Sequence, residues 1–355
     1  MSVPTTFEAW MRIHVLIVLT SLAMMGARAA GKTPARSASA AQAPAARQLG
    51  AAELPQPGPT RAAPAQQTSV TQAVPSFRSE SELVVLHVAV RDKRGHHVTG
   101  LPPQAFHIFE DGRAQPVRVF TQQADPVTIG LILDVSGSMA ASRNRLLYAA
   151  SQFARGGSPE DEVFALLVGD SARAVLPEDA PFTSDATALH DAISRNLRSG
   201  GRTALYDAID AGLEYLSRGT HARRALVILS DGLDNASDTT FDDVLRRTQS
   251  SNAAIYAIGL LDPIHLERHP RELRRLARAS GGDVYFPDDH AETYEAMEAV
   301  ARDIRNSYAI GFVPAQTAHD GRFHRLRVTV SSPDGARLDI RAREGYTAGT
   351  QDGSH

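Results

Sequence analysis

The 355-residue chain has no cysteine. That excludes disulfides, thiolate zinc sites, iron–sulfur clusters, a cysteine nucleophile and a lipid-modified cysteine anchor. It does not fix the redox compartment, since a chain without thiols suits either side of a membrane. An excess of one charge is lacking too: 37 Lys and Arg stand against 40 Asp and Glu, a net of −3. A general nucleic-acid binder would be basic, so no nucleic-acid partner is expected. Aromatic residues make up only 6%, and the one tryptophan, Trp10, lies in the leader and supports no site. The apolar run Val15 to Met25 falls short of the roughly 20 residues a membrane-spanning helix needs, and no spanning run follows it.

That short run has another meaning. Arg12 and His14 precede it, and Ala27-Arg28-Ala29 supplies small residues at the two positions a signal peptidase reads. A positive stretch, an apolar stretch and a small-x-small end describe a secretory signal over residues 1–29. An uncleaved anchor is the alternative. Either way the rest of the chain is expected outside the cytoplasm, periplasmic or secreted, with no transmembrane span after signal removal. Residues 30–78 are rich in Ala, Pro, Gln, Ser and Thr, with Phe77 the sole aromatic. Such a segment cannot bury enough apolar surface to offset chain entropy and reads as a disordered linker. Charge divides unevenly. Arg12 and Arg28 against Glu8 give residues 1–29 a net of +1. Lys32, Arg36, Arg47, Arg61 and Arg78 against Glu53 and Glu80 give residues 30–80 a net of +3, which leaves −7 for the rest. The part that folds is acidic.

Leu83 to Val90 is rich in β-branched residues and reads as a strand, with a turn at Asp92-Lys93-Arg94-Gly95. Phe106 to Glu110 and Val117 to Phe120 read as two strands of a hairpin about Asp111-Gly112. These strands are too few to cover a sheet face. The C-terminal end offers partners in Tyr308 to Val313, His324 to Val330 and Leu338 to Arg343, with Asp320-Gly321 and Asp334-Gly335 as turns. One β-sandwich built from both chain ends is therefore expected.

Between them the pattern alternates. Val127 to Leu133 is a continuous apolar run, as a strand buried on both faces requires. Strands are also predicted at Val163 to Val168, Ala225 to Leu229, Ala253 to Gly259 and Val284 to Phe286. Leu146, Ala150, Phe153 and Ala154 recur at helical spacing. Leu205, Ala208, Ile209, Gly212, Leu213 and Leu216 form the most regular apolar stripe. Further helices are predicted from a Thr240 cap to Gln249, over Arg271 to Arg278, and around Tyr294, Met297, Ala301 and Ile304. The fold class is α/β: a Rossmann-like, doubly wound, mostly parallel sheet flanked by the small sandwich. The division is 79–122 N-terminal β segment, 125–306 α/β domain, 307–348 C-terminal β segment and 349–355 tail.

Ligands of such sheets bind beyond the carboxyl ends of the strands. After the first central strand comes Asp134-Val135-Ser136-Gly137-Ser138. Residues at i, i+2 and i+4 of an extended segment share a side, so one carboxylate and two hydroxyls should converge, with Gly137 letting the loop curl. Ser230-Asp231-Gly232 places a second carboxylate at the same edge, and Gly200-Gly201-Arg202-Thr203 brings a hydroxyl to the start of the most regular helix. Asp134, Ser136, Ser138, Thr203 and Asp231 are all oxygen donors, with no histidine or thiol, and describe a hard-cation site. Two carboxylates suit Mg²⁺, which keeps several waters. Mn²⁺ also fits, and Ca²⁺ usually wants more oxygen ligands.

The order Asp-x-Ser-x-Ser, Gly-x-Thr, Ser-Asp-Gly resembles the metal-ion-dependent adhesion site (MIDAS) of von Willebrand factor type A domains and of integrin inserted domains. The resemblance covers about residues 125–306. It implies that the five residues bind the metal directly or through water, and that the remaining coordination position takes an acidic side chain of a protein partner. The flanks, including Phe106 to Gly112 and Arg343-Glu344-Gly345-Tyr346, resemble those of a bacterial, acidobacterial-type group of secreted proteins related to these domains. No partner follows from that group.

Other features carry less. Asp231, Asp234, Asn235 and Asp238 form an acid cluster whose spacing is not that of an EF-hand loop, so a solvated loop leading into a helix is expected. His265 and His269 lie four apart, but Pro263 and Pro270 bracket them, and neither a following glutamate nor a third ligand is evident. His96-His97 reads as an exposed turn. Arg271, Arg274, Arg275 and Arg278 read as the solvated face of a helix. Arg202 should sit at the rim of the metal and steer an acidic ligand. The leading expectation is thus an extracytoplasmic, metal-dependent interaction module, not an enzyme, that binds Asp or Glu of a protein partner and no small-molecule substrate. Two alternatives stand beside it. One is a metal-dependent hydrolase or phosphotransferase with Asp134 as nucleophile. It is disfavoured because Ser136 stands where the haloacid-dehalogenase pattern has a second acid, and no histidine or lysine of that edge offers a general acid or base. The other is a cell-envelope scaffold whose metal only stabilises the fold.

Overall fold

The computed structural model describes residues 83–122, 125–198, 200–260, 270–314 and 320–348. The expected leader, the linker, the tail and the His265–His269 pair lie outside the described residues. No helix among the described residues is long and apolar enough to cross a membrane.

In chain order the first strands are β1 (Val84–Arg91), β2 (Phe106–Glu110), β3 (Arg113–Gln115) and β4 (Val119–Thr121). The middle runs β5 (Val127–Asp134), α1 (Arg143–Arg155), β6 (Glu162–Val168), β7 (Ala172–Ala174), α2 (Ala186–Asn196) and α3 (Leu205–Ser217). It continues with β8 (Arg223–Ser230), α4 (Phe241–Ser250), β9 (Ala253–Gly259), α5 (Pro270–Ser280), β10 (Val284–Tyr285) and α6 (His290–Asn306). The last strands are β11 (Tyr308–Phe312), β12 (Phe323–Val330), β13 (Asp339–Arg341) and β14 (Gly345–Thr347).

The central sheet has the order β10-β9-β8-β5-β6-β7, parallel except for the edge strand β7. Every residue of β5 is buried, as its unbroken apolar run requires. The sheet faces are covered by two separate clusters. One joins it to α1, α2 and α6 through Leu146, Phe153, Ile193, Met297 and Val300. The other joins it to α3, α4 and α5 through Ile209, Leu213, Val244, Leu273 and Leu276. The predicted Thr240 cap is present: the Thr240 hydroxyl accepts from the Asp243 amide and the Asp243 carboxylate accepts from the Thr240 amide. From β5 the chain moves to β6 on one side, and later to β8 and β9 on the other. The carboxyl end of β5 is therefore the topological switch point, where loops leave for opposite faces and open a crevice.

Two antiparallel sheets, β13-β1-β11-β4 and β14-β12-β2-β3, share one core that includes Leu86, Phe106, Ile108, Tyr308, Phe312 and Leu326. The sandwich from both chain ends is thus present, with two differences from the sequence reading. The Asp111-Gly112 hairpin pairs β2 with β3, with Glu110 opposite Arg113. The strand expected from Val117 is β4 and belongs to the other sheet, beside β11. Both turn residues have positive φ, 47° at Asp111 and 82° at Gly112, which permits a two-residue connection and shortens the hairpin. The second difference is His97. His96 is exposed, but His97 turns inward and its Nε2 lies 3.0 Å from Asp303 of α6. Arg91 pairs with the same carboxylate and donates to the Tyr285 hydroxyl at 2.9 Å. Asp303 is 1% exposed, so this contact forms a buried polar seam between sandwich and central domain.

Candidate metal centre

Asp134 ends β5, where its neighbour on β6 is Val168. Its carboxylate is fully buried, yet no lysine, arginine or histidine pairs with it among the described residues. Oδ1 accepts from the Ser136 amide at 3.0 Å, and Oδ2 accepts from the Ser230 hydroxyl at 2.6 Å. Burial, and secondarily the like charge of Asp231, push Asp134 up to about 6, against the hydrogen bonds from Ser136 and Ser230. The Ser136 and Ser138 hydroxyls lie 3.2 Å apart. They meet for a reason other than strand alternation. The chain bends after Asp134, and the Met139 amide donates to the Ser136 carbonyl at 3.2 Å. Gly137 does not have a positive φ, so its expected role in curling the loop is not needed.

The loop bearing Thr203 is strapped to the first. The Gly200 amide donates to Val135 at 3.1 Å, and the Gly137 amide donates to Gly201 at 3.3 Å. Gly201 has φ of 84°, and a Cβ there would stand 2.7 Å from an Asp170 carboxylate oxygen. That carboxylate accepts from the Arg202 amide at 2.8 Å. Thr203 is 1% exposed, and its hydroxyl has no hydrogen-bond partner among the described residues. Its amide donates to Asn235 Oδ1 at 2.8 Å, and its carbonyl accepts from the Asn235 and Ala236 amides at 2.9 and 3.1 Å.

Asp231 follows β8 and is half-buried, with Oδ1 accepting from the Leu233 amide at 3.0 Å. Ser230 Oγ also accepts from the Gly232 amide at 3.0 Å, so one hydroxyl joins the Asp134 carboxylate to the loop bearing Asp231. Two other members of the acid cluster, Asp234 and Asn235, accept from loop amides. Asp234 Oδ1 accepts from the Leu205 and Tyr206 amides at 2.7 and 3.2 Å, which caps α3 in place of Ala204. Asp207 accepts from the Asp238 and Thr239 amides at 3.1 and 2.9 Å. Arg271, Arg274, Arg275 and Arg278 of α5 are exposed, as a solvated face should be.

Contacts thus join Asp134, Ser136 and Ser138 directly. Asp231 is joined to them through Ser230 and through its charge, and Thr203 through its backbone. Ser230, Asn235 and Asp170 support the centre in ways the sequence reading does not assign. Ser230 stands inside the Ser-Asp-Gly motif, and Asn235 and Asp170 are residue types that bond loop amides. Among the described residues no group of three or more His, Asp or Glu is placed to share a metal ion. The donor chemistry here differs: two carboxylates and three hydroxyls, with a buried anion that has no paired cation among the described residues. Hard divalent ions fit that set.

The sequence of residues 128–300 matches the model of the von Willebrand factor type A domain family. The chain carries a von Willebrand factor type A domain. Such domains are generally metal-dependent protein-interaction modules rather than enzymes. An uncharacterized protein of Borreliella burgdorferi is 28% identical over 139 residues, 37% of this chain and 40% of that one. The match therefore spans well under half of that relative's length. Three solved structures are also similar. A von Willebrand factor type A protein from Catenulispora acidiphila is 17% identical over 78% of this chain and 76% of its own, with a TM-score of 0.43. An aerotolerance-related membrane protein from Bacteroides fragilis is 19% identical over 50% and 98%, with a TM-score of 0.40. Proximal thread matrix protein 1 from the mussel byssus, solved with a zinc-occupied MIDAS motif, is 15% identical over 54% and 48%, with a TM-score of 0.46.

Proposed function

We propose that this type A domain is an extracytoplasmic adhesion-type module that engages an Asp or Glu side chain of a protein partner through a divalent cation, with Mg²⁺ the best fit. Asp134, Ser136, Ser138, Thr203 and Asp231 would hold the ion. When bound, the ion supplies positive charge that two carboxylates leave unsatisfied, so an incoming carboxylate completes both charge and coordination. The observation that carries this reading is Asp134: a fully buried carboxylate with no cationic side chain paired to it among the described residues, raised by burial and by a second acid at the same edge. Ser230 and the Ser136 amide fix its two oxygens in place. Arg202, exposed beside Thr203, favours an acidic approach to the rim. The leader over residues 1–29 supports a periplasmic or secreted location.

The test is affinity capture from a native cell envelope in Mg²⁺, followed by elution with chelator. The expected result is a partner released by chelation and absent when Asp134→Ala is the bait. A partner that stays bound after chelation, or that binds Asp134→Ala equally, overturns the reading.

A further inference from the structure

Thr203 is tied at both ends of its peptide unit to one neighbouring residue. Its amide donates to Asn235 Oδ1 at 2.8 Å, and its carbonyl accepts from the Asn235 amide at 2.9 Å. Asn235 lies four positions after Asp231, on the loop that carries the second carboxylate. The side-chain bond is therefore a direct strap between two of the three loops that form the candidate centre. It differs from the other straps. The ties from Gly200 to Val135 and from Gly137 to Gly201 are backbone to backbone, so no substitution of a side chain removes them. Asp170 holds the amide of Arg202, one residue away. Among the described residues, it is Asn235 that grips the amide of Thr203, whose hydroxyl has no hydrogen-bond partner there.

We propose that Asn235 is a positioning residue for cation binding, one that sets the Thr203 hydroxyl toward the ion by holding the Thr203 amide. This role rests on the metal reading above. The physical argument is rotational. A threonine with its carbonyl held and its amide free can still turn about its backbone, and the hydroxyl turns with it. Holding both groups fixes the backbone, and χ1 of a β-branched residue has few alternatives on a fixed backbone. The tightness of a metal site depends on such outer contacts. Asn235 is itself exposed and belongs to none of the apolar clusters, so removing its amide leaves the packed interior unchanged.

The experiment is calorimetric titration of the full chain with Mg²⁺ alone, for the wild type, Asn235→Ala, Asn235→Asp, Thr203→Ala and the double variant Thr203→Ala/Asn235→Ala. Asn235→Ala should weaken Mg²⁺ about tenfold, the low end of the range for outer contacts because the residue is exposed. Asn235→Asp keeps an acceptor for the Thr203 amide and should restore binding to within about threefold of wild type. The double variant should bind no more weakly than Thr203→Ala, because the amide acts only through the hydroxyl. Should Asn235→Ala not fold, Asn235→Gln keeps the amide but displaces it by one methylene and takes its place. Wild-type affinity in Asn235→Ala, or losses that simply add in the double variant, overturns the positioning role and leaves the metal reading intact. Failure of the wild type to bind Mg²⁺, or an unchanged Thr203→Ala, overturns both.

Discussion

The hydroxyl of Ser230, at the end of one strand, donates at 2.6 Å to the carboxylate of Asp134, at the end of the strand beside it. Neither residue is exposed at all. The bond joins two loops of the candidate centre at its deepest point and fixes which Asp134 oxygen is free of the Ser136 amide. A buried hydrogen bond to a charged acceptor is worth about 1.5–3 kcal/mol, and leaving the carboxylate unsatisfied costs at least as much. We expect Ser230→Ala to lower stability by about 2 kcal/mol and to weaken Mg²⁺ by about 10- to 100-fold, as loss of an outer contact does. Urea unfolding and metal titration of the same samples check both numbers. Destabilisation with unchanged metal affinity would mean that Ser230 serves the fold alone.

Asp134 itself should behave oppositely in the two states of the site. Burial raises it to about 6, so keeping it ionised at neutral pH costs the metal-free protein roughly 3 kcal/mol. A neutral asparagine side chain in its place would shed that penalty while keeping an oxygen for the Ser136 amide. We therefore expect Asp134→Asn to raise the chelated protein's Tm by several degrees and to abolish any rise on adding Mg²⁺. Scanning calorimetry with EDTA and with Mg²⁺ gives both readings. A lower Tm in EDTA would show that the hydrogen bonds to the ionised form outweigh its burial.

How much of this was legible in the sequence depends on period and on distance along the chain. β5 and α3 are written plainly, because their burial is continuous in one case and helical in the other, and both patterns are local. The three motifs announce oxygen donors at strand ends for the same reason. What failed was long-range pairing. Nothing near Val119 indicates that β4 joins β11 while its neighbour β3 stays with β2. His97 reads as a polar turn residue because its partner, Asp303, lies 206 positions away on α6. Helix α2 does not stand out in the sequence, because its buried face is only Leu189, Ala192 and Ile193, too short a stripe. Asn235 reads in the sequence as one member of an acid cluster, since a loop amide's partner is set by the fold.

The seam between sandwich and central domain offers a test of buried charge. Asp303 receives Arg91 and His97 and is 1% exposed. Removing the carboxylate strands two cations or donors in a place with little water. We expect Asp303→Ala to cost about 3–5 kcal/mol, and the paired replacement Asp303→Leu with Arg91→Met to cost much less. Urea midpoints measured by both tyrosine fluorescence and far-UV circular dichroism separate global loss from loosening of one half. Equal losses in the single and paired variants would mean that charge pairing is not what the seam contributes.

Two histidines of the sandwich should give acid sensitivity of opposite sign. His87 on β1 is held down to about 4, by burial first and then by the charges of Arg223 and Arg343, and its Nδ1 has no hydrogen-bond partner among the described residues. The unfolded chain takes up that proton near pH 6.5 while the folded chain refuses it, so stability falls as pH drops from about 6.5 toward 4. By pH 5 the loss is about 2 kcal/mol. For His324, burial acts to lower the pKa, but hydrogen bonds and charge from Asp111 and Asp320, at 2.9 and 3.2 Å, outweigh it and raise it. Its contribution is full below the unfolded pKa and is lost as pH rises through the folded one. On acidifying from pH 7.5 to 5, His87→Gln should therefore lose less stability than the wild type and His324→Gln more, whatever the wild type's own net change, to which protonation of Asp134 adds a gain. The ranking, read from urea unfolding at the two pH values, depends on direction alone. A His87→Gln variant as acid-sensitive as the wild type would place the titrating group elsewhere.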